Sequence, residues 1–239
     1  MPYVFGVTER DFELLYRDRH LLVVNKPPGI DVHGRNAEDR TSLIYAVARR
    51  LSLRPARLHP ASRLDRPVSG VVPIASSKIG RRSLTEQYQR REVHRRYLAL
   101  VAGVPEPREG EWNEPIGTDR HDPRRRRVRG RDARPASTRY RVLWTVDERW
   151  SMVELEPGTG RTHQLRVHLS EVARCPIAGD RRYGGGTVIG LPDGGVIPVP
   201  RVMLHAERIA LRHPESGELM VVEAELWDDF KDLIEYLKV

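Results

Sequence analysis

The chain has 239 residues, enough for one large domain with a substantial core, and a formal net charge of +8. Hydrophobic residues make up 39% and charged residues 31%, yet apolar segments recur along the whole length, which excludes a disordered chain. The one cysteine, Cys175, excludes an intramolecular disulfide and a cysteine-based metal cluster, and no apolar run has the length of a membrane span or the pattern of a signal peptide. A reduced, cytoplasmic setting is the expectation. Arginine supplies nearly all the positive charge, since lysine occurs only at Lys26, Lys78, Lys231 and Lys238. A high-GC coding bias accounts for most of that ratio, but the excess of positive charge itself points to a polyanionic partner.

In chain order, Leu21-Leu22-Val23-Val24 reads as a short buried strand closed by the turn Pro27-Pro28-Gly29. Thr41 is a candidate cap for a helix with Leu43, Ala46, Val47 and Leu51 on its apolar face. Gly70 to Ala75 reads as a strand in which Pro73 implies an edge position or a bulge. A short polar helix with Leu84 and Tyr88 follows, then a strand from Tyr97 to Val101 ended by Gly103. Tyr140, Val142, Trp144 and Val146 alternate on one arm of a hairpin, and Val153 and Leu155 on the other.

After the break at Gly158-Thr159-Gly160, Leu165, Leu169 and Val172 share the face of a helix for which Thr162 is a plausible N-cap. Two further strands, Leu204–Leu211 and Met220–Leu226, precede an amphipathic terminal helix through Leu233, Ile234 and Leu237. Many strands with irregularly interspersed helices indicate an α+β fold. Segment 119–137 is almost devoid of apolar residues and contains Arg124-Arg125-Arg126-Arg127. It reads as a solvated loop that also suits phosphate tracking.

Three local patterns bear on chemistry. Ser62-Arg63-Leu64-Asp65-Arg66 places a carboxylate between arginines, a pattern that by itself is more often a structural ion pair. Gly160-Arg161-Thr162-His163-Gln164-Leu165-Arg166-Val167-His168 places a glycine turn before a helix start suited to an anion. Its two histidines are five apart with no acidic or cysteine ligand beside them, which argues against a metal site. Tyr97, within Arg96-Tyr97-Leu98-Ala99-Leu100, would alone be a packing residue.

Taken together, in this order and spacing, these segments resemble the RluA-type family of pseudouridine synthases over most of the chain. Leu22-Val23-Val24-Asn25-Lys26-Pro27-Pro28-Gly29 matches its first strand and turn, and Pro176-Ile177, Gly179-Asp180, Tyr183-Gly184 and Leu204-His205-Ala206 match later parts. The resemblance implies a single catalytic domain spanning residues 1–239, with a large, mostly antiparallel mixed sheet flanked by helices and loops. It also implies a reaction in which a uridine of structured RNA, tRNA or rRNA, becomes pseudouridine. Asp65 would be the catalytic aspartate, Tyr97 would stack on the uracil, and Arg166 would pair with Asp65. Leu165 would pack against the base, Arg63 would enter the space of the flipped nucleotide, and Arg124, Arg125, Arg126 and Arg127 would contact RNA. The reaction calls for no metal and no cofactor, and a monomer without an obligate protein partner is expected.

The family pattern His-Arg-Leu-Asp-x-x-Thr-Ser-Gly meets Ser62 and Val68 here in place of its His and Thr. These changes motivate one alternative, a catalytically silent RNA-binding protein or RNA chaperone on the same fold. The pattern starts so close to the N-terminus that no separate S4-type RNA-binding domain is expected ahead of it.

Overall fold

A strand buried on both faces must lie inside a sheet, and Leu21–Lys26 has no residue exposed at all. The computed structural model describes residues 12–34, 39–190 and 195–238. Up to Val93 these form β1 (Glu13–Arg17), β2 (Leu21–Lys26), α1 (Leu43–Arg50), β3 (His59–Pro60), β4 (Ser69–Ala75) and α2 (Lys78–Gln89). There follow β5 (His94–Ala102), β6 (Glu109–Trp112), β7 (Ile116–Thr118), β8 (Arg126–Val128), β9 (Arg131–Arg134), β10 (Thr138–Val146) and β11 (Trp150–Pro157). The chain continues through α3 (Gln164–Val167), β12 (Val188–Gly190), β13 (Val196–Pro198), β14 (Leu204–Arg212), β15 (Leu219–Glu223) and α4 (Asp228–Lys238). The fold class is α+β.

The elements gather into two units. One holds the residues up to Val93 together with Glu207–Trp227, the other His94–Ala206 together with the residues from Asp228 on, so β14 contributes to both. In the first unit the strand order is β1-β2-β4-β14, with β15 on β14 and β3 on β4. Leu21, Val23, Val71, Leu84 and Ile209 form its core, with Leu211 beside them. Ser77 caps α2 by accepting from Gly80 N at 3.0 Å. The Gln87 amide then joins α2 to β14, donating to the Arg212 carbonyl and accepting from its N–H, both at 2.8 Å.

Two expectations are corrected in this unit. Pro73 lies in an interior strand, opposite Val23 of β2. Its carbonyl points the other way, accepting from Ala61 N at 3.0 Å, and in an extended residue the nitrogen faces the same side. The missing N–H therefore costs β2 no ladder bond. Helix α1 is capped by Ser42, whose Oγ accepts from Tyr45 N at 3.3 Å, while Thr41 bonds to Asp39 instead. The buried face is accordingly Leu43, Ile44, Val47 and Ala48.

In the second unit the order is β5-β11-β10-β6, with the start of β14 beside β5. The β10–β11 hairpin is antiparallel as its alternation predicts, with a register shift between Val142 and Trp144. Trp112 of β6 stacks on Tyr140 of β10 with centroids 3.9 Å apart, a cross-strand aromatic pair that seals this end of the sheet. Helix α4 packs through Phe230, Leu233 and Leu237, and Arg201 grips Asp229 bidentately at 2.7 and 3.0 Å. Segment 119–137 is not the expected loop: β8 and β9 flank β7 in a small three-stranded sheet.

The corner between β1 and β2 depends on Asp18. Its Oδ1 accepts from His20 N at 2.8 Å and Leu21 N at 2.6 Å, and its Oδ2 bonds to His213 Nε2 at 2.6 Å. Burial pushes this carboxyl upward, but the two amides and His213 outweigh it and hold it below its ordinary value. Asp18→Ala is expected to cost about 1–3 kcal/mol, read from the urea midpoint at neutral pH. A carboxyl lowered in the folded state stabilises above its unfolded pKa of about 3.9, so the gap from wild type should close as acid takes the pH through the folded value.

Candidate active site

Each unit builds its share of the sequence-marked residues around a buried cation. In the first unit this is Lys26, with 0% of its surface exposed at the end of β2. Its Nζ donates to the carbonyls of Pro27, Ile30 and Arg66 at 2.8, 2.9 and 3.3 Å. A second pair of bonds runs beside these: Gly29 N donates to Arg66 O at 2.8 Å, and Arg66 Nε donates to Gly29 O at 2.9 Å. Gly29 has φ +88°, a left-handed conformation that a side chain would strain.

The turn after Pro27 thus holds the backbone immediately following Asp65. Asp65 is half-buried, Arg63 is exposed, and Leu64 between them is buried. The Asp65 carbonyl accepts from Val68 N at 3.0 Å, so the turn is closed by a backbone bond that any residue but proline can supply. Val68 is itself buried, a position that suits its methyl groups. His59 sits in β3 opposite Ala75, and burial together with the charge of Arg81 pushes its pKa down. His33, absent from the sequence reading, shows the same direction, through burial and then the charges of Arg63 and His59.

In the second unit Tyr97 is buried on β5, opposite Leu155 of β11. The Gly160–His168 segment forms one α-helical turn followed by a π-helical turn, His168–Val172. The expected Thr162 cap is absent: the helix starts from His163 in the left-handed region, with φ 58°. The side chain of Gln164 takes over. Its Oε1 accepts from Arg161 N at 3.0 Å and Thr159 Oγ1 at 2.6 Å, while Nε2 donates to Ser137 O at 2.8 Å and Thr138 Oγ1 at 3.0 Å. All four hydrogen-bonding positions of this buried amide are filled, which pins the helix start to the head of β10.

His168 extends the same network. Its Nε2 faces the Glu114 carbonyl at 3.0 Å and its Nδ1 faces Thr138 Oγ1 at 2.9 Å. A carbonyl only accepts, so Nε2 carries the proton and the Thr138 hydroxyl donates to Nδ1. Burial pushes the His168 pKa down, which keeps the ring neutral.

Leu165 and Arg166 are both buried on this turn. Arg166 donates from Nε to Asp180 Oδ2 at 2.7 Å and from Nη2 to Asp180 Oδ1 at 2.8 Å, a bidentate pair in which the carboxylate is 1% exposed. Gly179 is required beside it, because a Cβ there would collide with the Arg201 carbonyl. The sequence offered Asp180 only as part of a matching run; its role needed the fold. The arginines of segment 119–137, a basic arm, are less uniform than their sequence. Arg124 is drawn to Asp122 at 3.1 Å, Arg127 approaches Asp119 at 3.8 Å, and Arg126 folds back on the Pro123 carbonyl at 2.8 Å. A cavity of about 670 Å³ opens among Arg124, Arg125, Arg181 and Arg182, with Asp119 and Asp122 also on its wall.

Two consequences are measurable. Asp180→Ala removes the bidentate carboxylate from a buried guanidinium, and should lower stability by about 3–5 kcal/mol in denaturant unfolding. A histidine whose folded pKa is lowered stabilises fully above its unfolded value of about 6.5 and loses that contribution as the pH falls. Wild type should therefore lose more of its unfolding midpoint than His168→Asn when the pH is taken from 7.5 to 5.5, about a unit to either side of that value.

A family model described as RNA pseudouridylate synthase matches residues 20–171. The dual-specificity RNA pseudouridine synthase RluA of Escherichia coli strain K12 is 35% identical over 212 residues, 88% of this chain and 91% of that protein. The ribosomal large subunit pseudouridine synthase D of Nitrosomonas europaea is also 35% identical, over 98% of this chain and 70% of its own. Among solved structures, human RNA pseudouridylate synthase domain containing 4 superposes with a TM-score of 0.73 at 29% identity, covering 95% of this chain and 93% of that one. The chain belongs to the RluA-type family of RNA pseudouridine synthases.

Proposed function

We propose that this protein isomerises uridine to pseudouridine in structured tRNA or rRNA, with Asp65 as the essential carboxylate. The observation that carries the assignment is the Lys26 clasp: a buried ammonium and a glycine turn together fix the backbone at Arg66, directly after Asp65. A catalytic carboxylate gains from such preorganisation, because geometry set in advance need not be paid for during the reaction.

The chemistry fits these residue types. The N-glycosidic bond must break, the base must turn, and carbon must replace nitrogen as the attachment point, all within one nucleotide and without net oxidation. No metal or cofactor is called for. Taking the base out of its stack costs roughly a few kcal/mol, which an aromatic platform at Tyr97 and an arginine at Arg63 entering the vacated space offset. Leu165 supplies an apolar contact to the base, and Arg166 pairs with and orients Asp65 in this reading.

RNA affinity is assigned to the arm. Residues 119–137 hold eight arginines against three aspartates, a net +5 of the chain's +8 with histidines neutral. The cavity between Arg124, Arg125, Arg181 and Arg182 suits a phosphate, which arginine binds through paired N–H groups. Relatives named for dual specificity and for the large ribosomal subunit make tRNA and rRNA the substrates to test first. The protein is taken to act in the cytoplasm as a monomer, without an obligate protein partner.

Asp65→Asn is expected to abolish pseudouridine formation while RNA retention on a filter stays within about twofold of wild type, since no phosphate contact is removed. Nucleoside analysis of RNA from a deletion strain, complemented with either form, reads the product. Full activity in the Asn variant would remove Asp65 from the mechanism.

A further inference from the structure

Tyr183 is 2% exposed, and two segments distant from it in sequence meet on it. Its ring centroid lies 4.9 Å from Arg166 Cζ and 5.4 Å from Arg125 Cζ, both within cation–π range. Its hydroxyl accepts from the backbone N–H of Arg126 at 2.9 Å and sits 2.7 Å from His163 Nδ1. The amide must donate, so the hydroxyl oxygen accepts there, and the imidazole tautomer sets the direction of its bond with Nδ1. Its own N–H donates to the Asp180 carbonyl at 3.0 Å, so one turn carries both the carboxylate that grips Arg166 and the ring that faces it. Ser170 Oγ donates to the Tyr183 carbonyl at 2.6 Å, fastening that turn to the helix.

Filling the core would require only the ring. The hydroxyl is what joins the arm, at Arg126, to the start of the site helix, at His163. We propose that Tyr183 is a positioning residue that fixes the basic arm in register with Arg166. RNA seated on the arm is then held at a set place relative to the reacting nucleotide. This rests on the RNA-contacting role proposed above for the arm.

The test compares Tyr183→Phe, Arg125→Ala and the double variant with wild type. The probe is total RNA labelled with 5-tritiated uridine, drawn from a strain lacking the gene, and tritium release measures turnover. Tyr183→Phe should raise KM about fivefold with kcat within about twofold, the size expected for two lost hydrogen bonds. Arg125→Ala should raise KM comparably, and the double variant should exceed the worse single by less than about twofold, because an unanchored arm no longer places Arg125. Filter retention of the same RNA, measured below the melting transition of every variant, should rank the four proteins identically without turnover. An unchanged KM in Tyr183→Phe, a fall in kcat alone, or strictly additive effects would overturn the proposal. Arg125→Ala with unchanged KM and retention would refute the arm's contact with RNA, and the register proposal with it.

Discussion

The second unit is organised by the requirement that a buried guanidinium be satisfied. Arg166 is 5% exposed, and burying an ion costs several kcal/mol unless its hydrogen bonds are met in good geometry. Asp180 meets two of them from a turn fourteen residues downstream, so that turn must fold back onto the helix. The same stretch is fastened to β5, where Ala178 N donates to the Leu100 carbonyl at 2.9 Å and Ala102 N to the Pro176 carbonyl at 3.0 Å. Strand, turn and helix are therefore keyed to one another. Tyr97, three residues before Leu100, shares the strand that this ion pair indirectly locates.

The first unit solves a related problem differently. Lys26 is held by backbone carbonyls at 2.8, 2.9 and 3.3 Å, and two of these belong to the residues that begin and follow the glycine turn. An ammonium can satisfy three acceptors arranged around a point, whereas a guanidinium needs a planar partner. The choice of cation thus matches the partner each unit provides. It also explains why the Ser62 and Val68 departures leave the Asp65 turn intact. That turn is closed by Val68 N and clasped at Arg66, both through backbone groups, so neither a histidine nor a threonine side chain is needed to hold it.

What the sequence revealed followed what periodicity can encode. The buried strands, α2, the β10–β11 hairpin and the terminal helix all carry an apolar pattern that their packing demands, and each was legible. The arm was not, because β7, β8 and β9 have scarcely any apolar side chains to alternate. Its order comes from outside: Glu171 Oε2 accepts from Val128 N at 2.9 Å, and Tyr183 accepts from Arg126 N. The helix start failed for a related reason. Capping rules look for a serine or threonine ahead of the first turn, while Gln164 caps from within it, a device visible only once Thr159 and Ser137 are seen beside it. The motif residues of the candidate site were recognisable as an ordered set, but the partner of Arg166 within its own unit was not, since nothing local distinguishes Asp180 from any other aspartate.

The arm poses an electrostatic problem that its attachment resolves. A segment with a net charge of +5 is anchored next to a buried guanidinium, and like charges at such range repel strongly where water is excluded. Three groups on the inner side offset that repulsion. Asp180 neutralises Arg166, Glu171 lies 4.0 Å from Arg125, and the π face of Tyr183 attracts both guanidinium groups while carrying no net charge. With the inner side balanced, the uncompensated charge is left on side chains that reach solvent, such as the exposed Arg129 and Arg134. A polyanion approaching from solvent meets the full attraction of the arm without disturbing the ion pair beneath it. The charge that makes the arm adhesive is thereby kept apart from the charge that organises the site.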